Sequence, residues 1–116
     1  MPKRKTTVVV RGQYEFEHQY LGAPAAVSYL RNLHRHLFNY EVEIEVFHDD
    51  RELEFIMLKH AIDDFLVEEM CKWPSTCSCE EMATSVANWL QATYGQHRQL
   101  MVAVFEDNEN GAKVYM

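Results

Sequence analysis

Long apolar runs, an export signal and an even set of cysteines are what this sequence lacks. After its basic start the first apolar run is only Val8-Val9-Val10, too short for the core of a signal peptide. No segment approaches the ~18 apolar residues of a membrane span. The cysteines, Cys71, Cys77 and Cys79, are odd in number and sit close together. Without an export signal they read as reduced thiols of a cytoplasmic protein rather than as a disulfide framework. Basic residues are also scarce: 11 Lys and Arg stand against 18 Asp and Glu, a net charge of −7 at pH 7. That sign opposes attraction to nucleic acid or to an anionic membrane surface as the main partner. The one basic cluster, Lys3-Arg4-Lys5, belongs to a terminal tail over residues 1–5 whose expected role is solubility. Low-complexity tracts, linkers and internal repeats are missing as well. A single domain over residues 1–116 is therefore expected, with a modest core drawn from an apolar content of 47%.

What is present is organised around Leu33 to Val46. His34 and His36 open a run in which Phe38, Tyr40, Val42, Ile44 and Val46 alternate with Asn39, Glu41, Glu43 and Glu45. In a β-strand this spacing places both imidazoles on the apolar face. An earlier run, Thr6 to Tyr20, alternates in the same way, with Val8, Val10, Gly12, Tyr14, Phe16 and His18 sharing one parity. Gly12 is expected to mark a bulge or bend. An antiparallel pairing of the two strands would bring His18 beside His34 and His36.

Between them, Gly22 and Pro24 punctuate a loop in which Ala25 to Leu30 can form a short helical turn. After a turn at His48 to Glu52, Leu58, Ala61, Ile62, Phe65, Leu66 and Met70 define one face of a helix that Trp73-Pro74 is expected to end. Ser78-Cys79-Glu80-Glu81 is a capping box opening a second helix, with Met82, Val86, Trp89, Leu90 and Thr93 on its apolar face and Gly95 as its stop. Leu100 to Phe105 reads as a central strand. Asp107 to Gly111 reads as a turn ending in Asn-Gly, and Ala112 to Met116 as a fourth strand. The order is ββααββ, an α+β class.

Three histidines from neighbouring strands on one face match the His₃ set of catalytic zinc sites, which keep a fourth position for water or substrate. The same residues would also serve as hydrogen-bonded core and surface histidines. His48, His60 and His97 fall in a turn, on a helix and near a helix end. The spacing of the three cysteines fits no usual zinc knuckle. Cys79, in the first turn of a helix, is a candidate reactive thiol, because helix N-termini lower thiol pKa values, although structural or incidental roles are the favoured reading for all three cysteines.

Tyr14 to Leu21 and Leu33-His34-Arg35-His36-Leu37-Phe38 resemble the first two strand motifs of the 6-pyruvoyl-tetrahydropterin and 6-carboxytetrahydropterin synthase family. Leu53-Glu54-Phe55 with Leu58-Lys59, Ser78 to Ala83, and Val104-Phe105-Glu106 are similar to three further family motifs, in order and with compatible spacing. The resemblance covers most of the chain. It implies a tunnelling fold, with a four-stranded antiparallel sheet and two helices on one face, and assembly into homo-oligomers, trimers paired into hexamers. It implies Zn²⁺ on His18, His34 and His36, and Glu106 as the carboxylate that holds a pterin-like small molecule. The implied activity is a carbon–oxygen lyase reaction on dihydroneopterin triphosphate or a close analogue, in pterin or 7-deazaguanine (queuosine) biosynthesis.

The departures from the family pattern bear on that activity. Leu30 stands where the family has its general-base cysteine, and no Leu-Asp-His motif occurs between Val67 and Cys77. Arg35 replaces a glycine between the two paired histidines, pointing either into the site or out to solvent. Proton transfer beside a carbonyl requires a positioned acid or base. The remaining candidates are Tyr29, His60, Asp63, Asp64 and a zinc-bound hydroxide. The alternative is a non-catalytic relative that binds a pterin or purine, or that serves as an oligomeric scaffold.

Overall fold

Two long strands form the spine of the chain, whose computed structural model describes residues 4–116. β1 (Thr6–His18) and β2 (His34–Val46) pair antiparallel along their whole length, from Thr6 opposite Val46 to His18 opposite His34. β3 (Leu100–Glu106) adds to β2, and β4 (Asn110–Tyr115) adds to β3, giving the sheet order β1-β2-β3-β4. The helices α1 (Phe55–Met70) and α2 (Cys79–Tyr94) lie on one face of this sheet. The ββααββ order and the α+β class expected from the sequence are what the structure has. No helix among the described residues is long and apolar enough to cross a membrane. Of the basic tail, residues 1–3 lie outside the described residues, and Arg4 pairs with Asp49.

The alternation in β1 and β2 arises because only one sheet face is covered. Val10, Tyr14, Phe38, Tyr40, Val42 and Ile44 are buried beneath the helices, while Glu15, Glu17 and Arg35 are exposed on the other face. Leu58, Ile62 and Leu66 of α1 and Met82, Val86 and Leu90 of α2 close the same core. Thr93, expected on the apolar face of α2, is exposed instead. The buried stripe of α2 runs through Ala83, Val86, Ala87 and Leu90 to Tyr94, which leaves Thr93 at its edge. Between the helices, Phe65 and Trp89 stack with centroids 4.7 Å apart.

Gly12 is not a bulge. The register passes through Gly12 opposite Tyr40 without a slip. The glycine is there because the Tyr40 ring lies across its α-carbon, where a Cβ would overlap the ring. That path lets the Tyr40 hydroxyl donate to Asp63 on α1 at 2.7 Å.

α1 stops at Met70, ahead of Trp73-Pro74, with the Lys72 and Trp73 amides both donating to the Glu69 carbonyl. The capping box of α2 forms as expected: Ser78 Oγ accepts from the Glu81 amide, and the Glu81 carboxylate accepts from the Ser78 amide. The β3–β4 turn is made by Asp107 and Asn108, both at positive φ, rather than by Asn110-Gly111. Gly111 lies within β4, opposite Phe105.

Arg98 ties together the end away from the histidines. Its guanidinium donates to the Tyr94 carbonyl, the Glu45 carbonyl and Glu52 Oε2 at 3.0, 2.9 and 2.6 Å. The Glu52 carboxylate also accepts from the Phe47 amide. Arg98, and then that amide, hold the Glu52 carboxyl below its ordinary value of 4.5. A carboxyl depressed in the fold stabilises it above the unfolded pKa, and that contribution is lost as pH falls through the folded value. Thermal melts of Glu52→Gln are therefore expected to fall below wild type at pH 7 and to converge with it only as the pH falls below the depressed folded value, where both side chains are neutral.

Candidate metal centre

The β1–β2 ribbon runs past the end of β3. β3 pairs with β2 only from Phe38 to Ile44, so His34 and His36 stand beyond it, flanked by β1 alone. His18 pairs directly with His34, and Phe16 with His36. Strand parity turns all three imidazoles to the helix-covered side. One ligand atom from each of the three lies within 4.8 Å of the others. His18 is buried, and His34 and His36 are half-buried.

Each ring is held by its Nδ1. His18 Nδ1 lies 3.3 Å from the Cys77 carbonyl, His34 Nδ1 2.8 Å from the Asn32 carbonyl, and His36 Nδ1 2.7 Å from Asp107 Oδ2. All three partners are acceptors, so each neutral ring carries its proton on Nδ1 and turns the lone pair of Nε2 away from that partner. Metal-binding histidines are oriented by this kind of outer partner. His18 Nε2 is buried without a hydrogen-bond partner, an orphaned acceptor that a cation would satisfy. Burial also holds the His18 pKa below its ordinary value, which favours the neutral, ligating form. On these grounds the residues fit a metal ion.

Phe38 is the floor of the site. It is fully buried, and the His18 and His36 rings stand edge-on to it at 5.2 and 6.1 Å. Glu106, the last residue of β3, is the residue opposite Phe38. Its carboxylate reaches His18 Nε2 at 3.2 Å and His36 Nε2 at 3.6 Å. A cleft of about 560 Å³ opens beside the group, lined by His18, His34, Glu106, Leu30, Cys77 and Cys79 among others.

The structure thus brings together His18, His34, His36 and Glu106, the four site residues named from the sequence. It leaves Tyr29, His60, Asp63 and Asp64 outside the cleft. Tyr29 is exposed, and Asp63 is engaged by Tyr40. Arg35 points to solvent on the opposite face and pairs with Glu15 at 3.7 Å. His48 accepts from the Asp50 amide, and His97 stacks on Phe47, both far from the site. Of the two readings of Cys79, a reactive thiol is ruled out and a structural cysteine fits. Burial, reinforced by the Glu106 and Glu80 carboxylates, pushes its thiol up to about 12. Desolvation outweighs the helix terminus at this position. Burial raises Cys77 to about 11 in the same way.

Asp107 is the site residue that the sequence reading placed only in a turn. Its Oδ2 holds His36, its Oδ1 accepts from the Leu37 amide at 3.2 Å, and its own amide donates to the Leu37 carbonyl. The available signal was an acid directly following Glu106 at the strand end. Asp107→Ala is expected to weaken metal binding at the cluster ~10–100-fold, and Asp107→Asn, which can still accept from Nδ1, by less. Competition with a chromogenic chelator measures both.

No protein-family model matches this chain, and no curated protein matches it. The site is therefore read from its own geometry.

Proposed function

We propose that this chain is a divergent tetrahydropterin-synthase-like protein: a zinc-dependent, cytoplasmic homo-oligomer acting on dihydroneopterin triphosphate or a close analogue. The carrying observation is that three imidazoles each bring a ring nitrogen within 4.8 Å of the others beside a cleft, with a strand-end carboxylate next to them. His18, His34 and His36 would hold the zinc. When bound, the metal supplies Lewis-acid polarisation of hydroxyl or carbonyl oxygens on the ligand's side chain. Glu106 offers a carboxylate to adjacent ring N–H donors, a pairing strengthened by its charge. Leu30 gives the cleft an apolar wall against water. Both sheet edges, β1 and β4, are free to pair with other copies, which supports assembly into a ring.

A second reading is a protein that binds such a ligand without turning it over. Leu30 favours it, standing in the cleft at the position where the resemblance calls for a cysteine. The two cleft thiols are held protonated by burial and do not replace that base.

One experiment separates the readings. Zinc-loaded protein is mixed with dihydroneopterin triphosphate, and both ligand binding and triphosphate release are followed. Release that depends on His34 and His36 supports the enzyme. Saturable binding without release supports the binder. Neither binding nor release overturns both.

A further inference from the structure

Glu106 is closer to the histidines than a ring anchor needs to be. Both of its oxygens face imidazole nitrogens: Oε1 lies 3.2 Å from His18 Nε2, and Oε2 lies 3.6 Å from His36 Nε2. His18 is held neutral by burial with its proton on Nδ1, toward the Cys77 carbonyl, so its Nε2 has none to give, and His36 likewise turns Nδ1 to Asp107. The contact between His18 and Glu106 is accordingly not a hydrogen bond, and His18 Nε2 is left buried without a partner. Acceptors crowded together in a half-buried site repel unless a cation lies between them. Donor atoms ~2.1 Å from a tetrahedral zinc stand about 3.4 Å from one another. The separations from Oε1 to His18 and from Oε2 to His36 lie on either side of that spacing, so a small rotation of the carboxylate brings one oxygen to share a cation with these two rings.

The carboxylate is also held there by its backbone. Glu106 is in register with Phe38, and the next residue, Asp107, is bonded to Leu37 through its amide and its side chain. Strand parity sends Glu106 to the same face as the histidines, so a swing of its terminal torsions is its only freedom.

We infer that in the free chain the Glu106 carboxylate occupies the fourth position of the metal centre and leaves it when an oxygen-bearing ligand arrives. The inference rests on reading the three histidines as a metal centre, and it deepens that reading. A centre with four protein ligands is closed, as structural zinc sites are, whereas a catalytic one keeps a position open. Here one side chain decides between the two states. The displaced carboxylate is then free to accept N–H donors from the same incoming molecule. The ligand class that suits this exchange carries a metal-binding oxygen at one end and adjacent N–H donors at the other.

The test uses the full chain loaded with cobalt(II), whose visible d–d bands report coordination number and donor set. Wild type, Glu106→Gln and Glu106→Ala are compared, each titrated with azide as a small anionic ligand. The expected result is a band shift in both variants, metal affinity lower by ~10–100-fold, and azide binding at least ~10-fold tighter than in wild type. The near-isosteric glutamine variant keeps the test available if the alanine variant does not fold. Identical spectra and equal azide affinity in wild type and variants overturn the inference while leaving the metal centre standing. Wild type that takes up neither cobalt nor zinc overturns the metal centre itself.

Discussion

Chain carrying His34→Ala together with His36→Ala is expected to lose zinc altogether at micromolar metal, while wild type binds about one ion per subunit. Two of three converging Nε2 donors are removed, and a single imidazole with a carboxylate does not make a zinc site. The effect is also visible as stability. A ligand present at ~1,000 times its dissociation constant adds about 4 kcal/mol to the folded state. For a domain of this size that corresponds to a rise in Tm on the order of 10–20 °C. Wild type should show that rise when zinc is added, and the double variant should show none. The metal-free double variant should melt close to metal-free wild type, because both side chains are only half-buried at the open end of the ribbon. Elemental analysis with calorimetry in the two metal states reads all of this. A wild type indifferent to zinc would sink the metal-centre reading.

Phe38→Ala carries the second large effect, because one ring serves both the core and the site. Phe38 is fully buried, stacked on Tyr14 at 5.5 Å and edge-on to Phe16 at 6.4 Å. The His18 and His36 rings stand nearly perpendicular to it at 5.2 and 6.1 Å. Truncating a buried phenylalanine to alanine costs ~3–5 kcal/mol through lost transfer energy and the cavity left behind. Against a typical total of ~5–15 kcal/mol, that brings the chain near its unfolding threshold. Phe38→Leu keeps much of the volume and should cost about 1–2 kcal/mol. It should nevertheless weaken zinc binding, because the imidazoles lose the flat surface that fixes their tilt. Urea titrations give the stabilities, and chelator competition gives the affinities. Phe38→Leu with unchanged zinc affinity would show that the Nδ1 partners alone position the rings.

Much of the fold was legible because it is periodic. Alternation in Thr6 to His18 and His34 to Val46 reports which face is buried. The helical spacing from Leu58 to Met70 does the same for α1, and the Ser78–Glu81 capping box places the start of α2. Where the reading slipped, a local rule lost to a distant neighbour. Gly12 reads as a bulge in isolation, but the ring of Tyr40 on the partner strand explains it. Asn110-Gly111 reads as the turn, yet the register of β4 against β3 places it within the strand and gives the turn to Asp107 and Asn108. Cys79 reads as activated by its helix terminus, and tertiary burial reverses the sign.

The sequence by itself determined that His18, His34 and His36 are compatible in kind and in parity with one site, while Glu106 was implied only by the family resemblance. Residue type and strand period are local properties. Only the tertiary structure decided that they meet, because convergence depends on register. A slip of one residue between β1 and β2 would turn His18 to the opposite face. The tertiary structure also supplied what holds the rings. His36 is fixed by Asp107, 71 positions away, and His18 by the Cys77 carbonyl, 59 positions away. Such contacts carry no periodic signature, since they are set by how the β3 turn and the start of α2 close over the end of the ribbon.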